Sequence, residues 1–133
     1  ESELKAIRGL LEGYPSERLS AICEERQANA EAARQRMESA ATLRAQCGFF
    51  DWLFGRTAIA EAALEQARSE HADAAQHSRE SERLSERLEL VGELLSKRQP
   101  TVALRNLQFI KLHAPADLRL NEPIERIEKL LAR

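Results

Sequence analysis

The sequence predicts an all-α fold, a helical bundle with a long antiparallel coiled-coil hairpin, and three observations carry that expectation. Val, Ile and Thr supply only 11 of the 133 residues, while Ala, Leu, Glu, Arg and Gln dominate, a balance that favours helix over pleated sheet. No proline lies between Ser16 and Gln99, so nothing in that stretch removes a helical donor. Leu84, Leu88, Val91 and Leu95 recur at 4-3-4 spacing, which keeps one apolar stripe turned toward a partner helix.

A first amphipathic helix is expected over 3–12, with Leu4, Ile7, Leu10 and Leu11 on one stripe, stopped by Gly13-Tyr14-Pro15. The second begins near Pro15-Ser16, where proline suits a first turn and serine can cap, and runs to about Cys47. A third, capped by Thr57, continues to about Arg98, longer than ordinary globular helices reach. Its seam projects back from Leu84 through Ser81, His77, Ala74, Glu70, Ala67, Ala63 and Ala60. The matching stripe of the second helix is Leu19, Ile22, Arg26, Asn29, Ala33, Arg36, Ala40, Leu43 and Cys47. If the two pair antiparallel about their connection, facing positions add to about 103, and the Leu-rich ends of both seams meet. A fourth helix over 101–113 ends at Pro115, 116–120 is a loop, and Asn121 caps a fifth helix over 122–131.

The large aliphatic side chains thus gather in 1–22 and 84–133, which are expected to form a base bundle. An Ala-rich hairpin, 23–83, would project from it with its tip at 48–55, some 35 to 40 Å away at the helical rise. Within that tip stand four of the six aromatic residues, Phe49, Phe50, Trp52 and Phe54, with Leu53 among them. A hairpin end has little of its own chain to bury such rings against. Either the connection forms a short helix, capped by Asp51, that folds the rings between the long helices, or the rings await a partner surface.

Twenty basic against 22 acidic residues give a formal charge of -2, with no field that calls for nucleic acid. Arg outnumbers Lys by 16 to 4, but acidic residues are interleaved throughout, so nucleic acid is not an expected partner. No apolar run reaches the roughly 18 to 20 residues of a membrane span, and Glu1-Ser2-Glu3-Leu4 lacks the basic and apolar segments of a signal peptide. The chain reads as a segment of a longer cytoplasmic protein, and its Ala- and Arg-rich composition suits a bacterial source.

Cys23 and Cys47, on one helix, would lie about 36 Å apart, which excludes a disulfide between them. His71 and His77 face different sides of their helix, and Cys23 with His77 would supply two ligands where zinc needs four. The sequence holds no Gly-rich phosphate loop, nucleophile elbow or zinc-finger spacing. The expectation is therefore a non-enzymatic interaction or assembly module with no cofactor, metal or small-molecule substrate, which binds a protein partner or another copy through Phe49, Phe50, Trp52, Leu53 and Phe54. The alternatives are a peripheral membrane contact at the same residues and a regulatory helix pair that shifts register along its weak seam.

Overall fold

The computed structural model describes residues 2–114 and 118–132. Six helices account for most of them: α1 (Ser2–Glu12), α2 (Tyr14–Ala45), α3 (Phe49–Leu53), α4 (Arg56–Ser96), α5 (Pro100–His113) and α6 (Asn121–Leu131). No strand occurs among the described residues, and the fold is an all-α helical hairpin bundle. The expected stop at Pro115 and the first part of the expected loop, 116–117, lie outside the described residues.

Helix α1 ends at Glu12, as expected, but Gly13-Tyr14-Pro15 makes a bend rather than a full break. The Gly13 N–H donates to the Gly9 carbonyl (3.2 Å) and the Glu17 N–H to the Gly13 carbonyl (3.1 Å), so hydrogen bonding continues through a bend from α1 into α2. Pro15 interrupts nothing because it falls in the first turn of α2, where its missing donor has no intrahelical acceptor. Asn121 is likewise not a cap: Leu120 precedes the first turn of α6, and no side chain bonds there.

The chain divides into two compact units, 1–23 with 80–133, and 24–79. In the first, Ile7, Leu11, Leu19, Ile22, Leu84, Leu88, Val91, Leu94 and Leu95 pack with Leu107, Ile110, Leu118, Leu120, Ile124 and Ile127 into one core. Burial of this much aliphatic surface is the main stabilising term of the unit. Polar contacts tie its periphery: Arg126 bonds Glu3 (3.0 Å), and Arg8 bonds Ser96. Arg87 lies over the Phe109 ring (3.9 Å) and Arg119 over that of Tyr14 (4.2 Å). Helix α4 ends with Arg98 in the left-handed region (φ 58°). There the Arg98 N–H reaches the Leu95 carbonyl and the Gln99 N–H the Leu94 carbonyl, the Schellman pattern made without its usual glycine.

In the second unit α2 and α4 run antiparallel, as three cross-links show. Arg44 bonds Glu61 (2.7 Å), Arg36 faces Glu70 (3.9 Å), and Arg26 donates to the His77 carbonyl (3.2 Å). The paired numbers add to between 103 and 106, close to the expected register. The seam itself differs at alternate positions. Ala30, Met37 and Arg44 turn inward instead of Asn29, Arg36 and Leu43, and Leu64, His71 and Ser78 instead of Ala63, Glu70 and His77. A projection at strict 3.5-residue spacing drifts against a helix of 3.6 residues per turn, and at five of the six positions the one-residue change seats a less polar, larger apolar or smaller residue. At 43/44 it does the reverse and leaves Leu43 outside.

On the outer face of α2, the Arg34 guanidinium bonds both Glu31 and Glu38, and its proximity holds the Glu31 carboxyl below its ordinary range. A lowered carboxyl pKa adds stability that is present above the unfolded value and is lost as pH falls through the folded one. Arg34→Ala is therefore expected to lower the melting temperature at neutral pH and to have no effect once the pH is well below the carboxylate range, as read by circular dichroism melts.

Candidate functional site

The connection between α2 and α4 is built by local hydrogen bonds. Helix α2 closes with the Gln46 N–H on the Thr42 carbonyl (3.1 Å) and the Cys47 N–H on the Arg44 carbonyl (3.2 Å). Extended Gly48 then starts α3. Asp51 reaches back so that its Oδ2 accepts the Gly48 N–H (3.0 Å), which satisfies a donor that a helix start leaves open. Its Oδ1 lies 3.5 Å from Arg56. The turn out of α3 passes through Gly55 at φ 77°, a conformation that glycine adopts without Cβ strain, and α4 follows with the Ile59 N–H on the Gly55 carbonyl (3.3 Å). Thr57, expected as the cap of α4, lies inside its first turn instead, and its hydroxyl is buried without a partner.

Asp51 thus performs the capping role expected of it, and the short helix forms, but the rings do not fold between α2 and α4. Phe49, Phe50, Trp52, Leu53 and Phe54, with Leu43 of α2 and Ile59 of α4, are all between 56% and 71% exposed. On a five-residue helix Asp51 occupies one side and the apolar residues the rest of the circumference. Phe49 packs edge-on to Phe50 (5.6 Å between centroids) and lies 6.0 Å from Trp52, while Arg56 stands 5.8 Å from the Phe54 ring. An aromatic side chain buries roughly 150–250 Å², so four rings about two-thirds open leave on the order of 500 Å² of apolar surface. That alone is near the upper end of the largest patch on a typical monomer, roughly 300–600 Å².

The charges of this end are already matched. Arg44 is held by Glu61 and Arg56 faces Asp51, so two cations and two carboxylates cancel within the turn. What the turn offers a ligand is dispersion and apolar burial rather than a field. Leu43 and Ile59 escaped the sequence reading for different reasons. Leu43 falls on the expected seam, and Ile59 stands alone among alanines. The signal in the sequence was only that Leu43 and Arg44 compete for one seam position.

Among the described residues no three His, Cys, Asp or Glu side chains form a group able to hold a metal. Cys23 and Cys47 are thiols with no disulfide between them, and the Cys47 thiol donates to the Leu43 carbonyl (3.5 Å). His113 lies against Phe109 (4.3 Å), in the first unit, whereas His71 and His77 belong to the second. No described helix is long and apolar enough to cross a membrane.

Two substitutions test the architecture of the turn in opposite directions. Asp51→Ala removes the acceptor of the Gly48 N–H and is expected to cost about 1 kcal/mol. Thr57→Val keeps the shape, removes the buried unpaired hydroxyl and is expected to gain about 1 kcal/mol. Urea unfolding followed by helical ellipticity reads both.

Comparison with protein-family models, curated proteins and solved structures finds no match for this chain.

Proposed function

We propose that the chain is a non-enzymatic helical interaction module whose hairpin, a coiled coil along the α2–α4 seam, presents the α3 turn to a protein. One observation carries this reading: seven large apolar side chains stand open together at a turn whose backbone is fixed and whose charges are matched. Exposed apolar surface of this extent forgoes hydrophobic stabilisation, and it marks contact sites in folded proteins. Trp and Phe are also the residue types that anchor interfaces, since they bring large area with few rotatable bonds. The Asp51 cap and the Gly55 turn support the reading further, because they position the rings before any partner arrives and reduce the entropy lost on binding.

A membrane contact at the same rings has Trp52, Phe49, Phe50 and Phe54 in its favour, with Arg44 and Arg56 beside them. Both arginines are engaged by carboxylates, which removes the attraction to anionic headgroups that such a contact uses. The protein contact is therefore the better-supported function.

Joint replacement of Trp52 and Phe54 by alanine separates a contact surface from a core. Because the rings are exposed, the thermal unfolding curve is expected to stay within about 0.5 kcal/mol of wild type. Association through the turn should weaken by about tenfold or more, since interface anchors cost over 1 kcal/mol each when truncated. A stability loss of several kcal/mol with association intact would assign the rings to the core.

A further inference from the structure

The apolar surface of the turn has a side, and that side points to its occupant. In an antiparallel helix pair, the residue that precedes a seam position on one helix and the residue that precedes a seam position on the other lie on the same side of the pair. Arg44 and Ala60 are inward, so Leu43 and Ile59, each one residue earlier, form a ledge on one side at one level of the hairpin. Glu61, one residue after Ala60, falls on the other side and receives Arg44. Two turns back along α2 and three turns on along α4, Arg36 and Glu70, again each one residue before an inward position, close the ledge side with an ion pair. By the same rule Gln46 and Arg56, which precede Cys47 and Thr57, flank the ledge on its tip side, so Leu43 and Ile59 form an apolar patch bordered by polar groups.

We infer that the partner of the turn is a second copy of this chain, bound about a two-fold axis so that the α3 rings of each copy pack on the Leu43–Ile59 ledge of the other. The inference rests on the reading of the turn as a contact surface and names its occupant. Three features support it. A two-fold contact places a patch against itself, so the patch must be self-complementary; aromatic rings beside an aliphatic ledge satisfy this reciprocally, and charges paired within each copy, Arg44 with Glu61 and Arg56 with Asp51, bring no like-charge clash. Leu43, Leu53 and Ile59 added to the rings bring the available area toward the roughly 800 Å² per partner of a standard stable interface. A bilayer, by contrast, would meet the end of a hairpin from all sides, whereas one side here carries Glu61.

Sedimentation velocity of the full chain from low micromolar to a few hundred micromolar, on wild type, Leu43→Glu, Ile59→Glu and Leu112→Glu, tests this directly. Each replaced residue is exposed on a helix, and unchanged helical ellipticity verifies folding. The expected result is a monomer–dimer equilibrium in wild type and Leu112→Glu, weakened by about tenfold or more in Leu43→Glu and Ile59→Glu. A wild type that stays monomeric throughout the range overturns the inference, as does a dimer that tolerates both ledge variants, which would place its contact elsewhere. If the monomer instead floats with phosphatidylcholine vesicles and Ile59→Glu does not, the occupant is a bilayer and the reading of a protein contact falls as well. If it neither dimerises nor floats, only the second copy is excluded, and the Trp52 and Phe54 double replacement still decides the broader reading.

Discussion

Small residues between α2 and α4 set the terms for everything in the 24–79 unit, because what fills a seam decides both how closely two helices approach and how much surface they bury. Ala33, Ala60 and Ala67 are buried there with Leu64 as the one large aliphatic among them, and each alanine contributes roughly a third or less of what a leucine would. Cross-links from Arg26, Arg36 and Arg44 accompany the register of a pair that packing alone would specify weakly, each adding little as a surface contact. The Leu- and Ile-rich core of the other unit has no such need and is held by aliphatic burial.

Phe49, Phe50, Trp52 and Phe54 stay outside the seam even though ring burial is a large stabilising contribution. Leu43 is outside because Arg44 takes its seam position and gains an ion pair with Glu61. A sequence under selection for hairpin stability alone would fill that position with the leucine. Leu43 therefore joins the exposed apolar groups around a short helix that Asp51 caps and Gly55 ends.

Much of this was legible in the residues. The helix-rich composition, the proline-free stretch and the Leu84–Leu95 spacing announced the fold, and Gly48 and Gly55 marked the connection. The Asp51 cap could be read because its interaction is local. What could not be read depended on competition between neighbours in space. The choice of Arg44 over Leu43 and of Leu64 over Ala63 turns on a one-residue phase that a fixed heptad cannot resolve. The bend at Gly13 depends on a helix on either side of it, and Leu118 and Leu120, in what reads as a polar-flanked loop, are core residues only because α5 and α6 meet around them. Exposure of the rings was the least accessible of all, since sequence reports how hydrophobic a segment is and not whether anything covers it.

Trp52, the only tryptophan, reports without any label whether the turn is open in the isolated chain. Acrylamide quenching of its fluorescence in protein dilute enough to be unassociated should approach the rate of a water-exposed indole, with emission at the red end of the tryptophan range. Slow quenching and blue-shifted emission that persist on further dilution would show the ring buried in its own chain, and the account of the turn as a contact surface would be wrong.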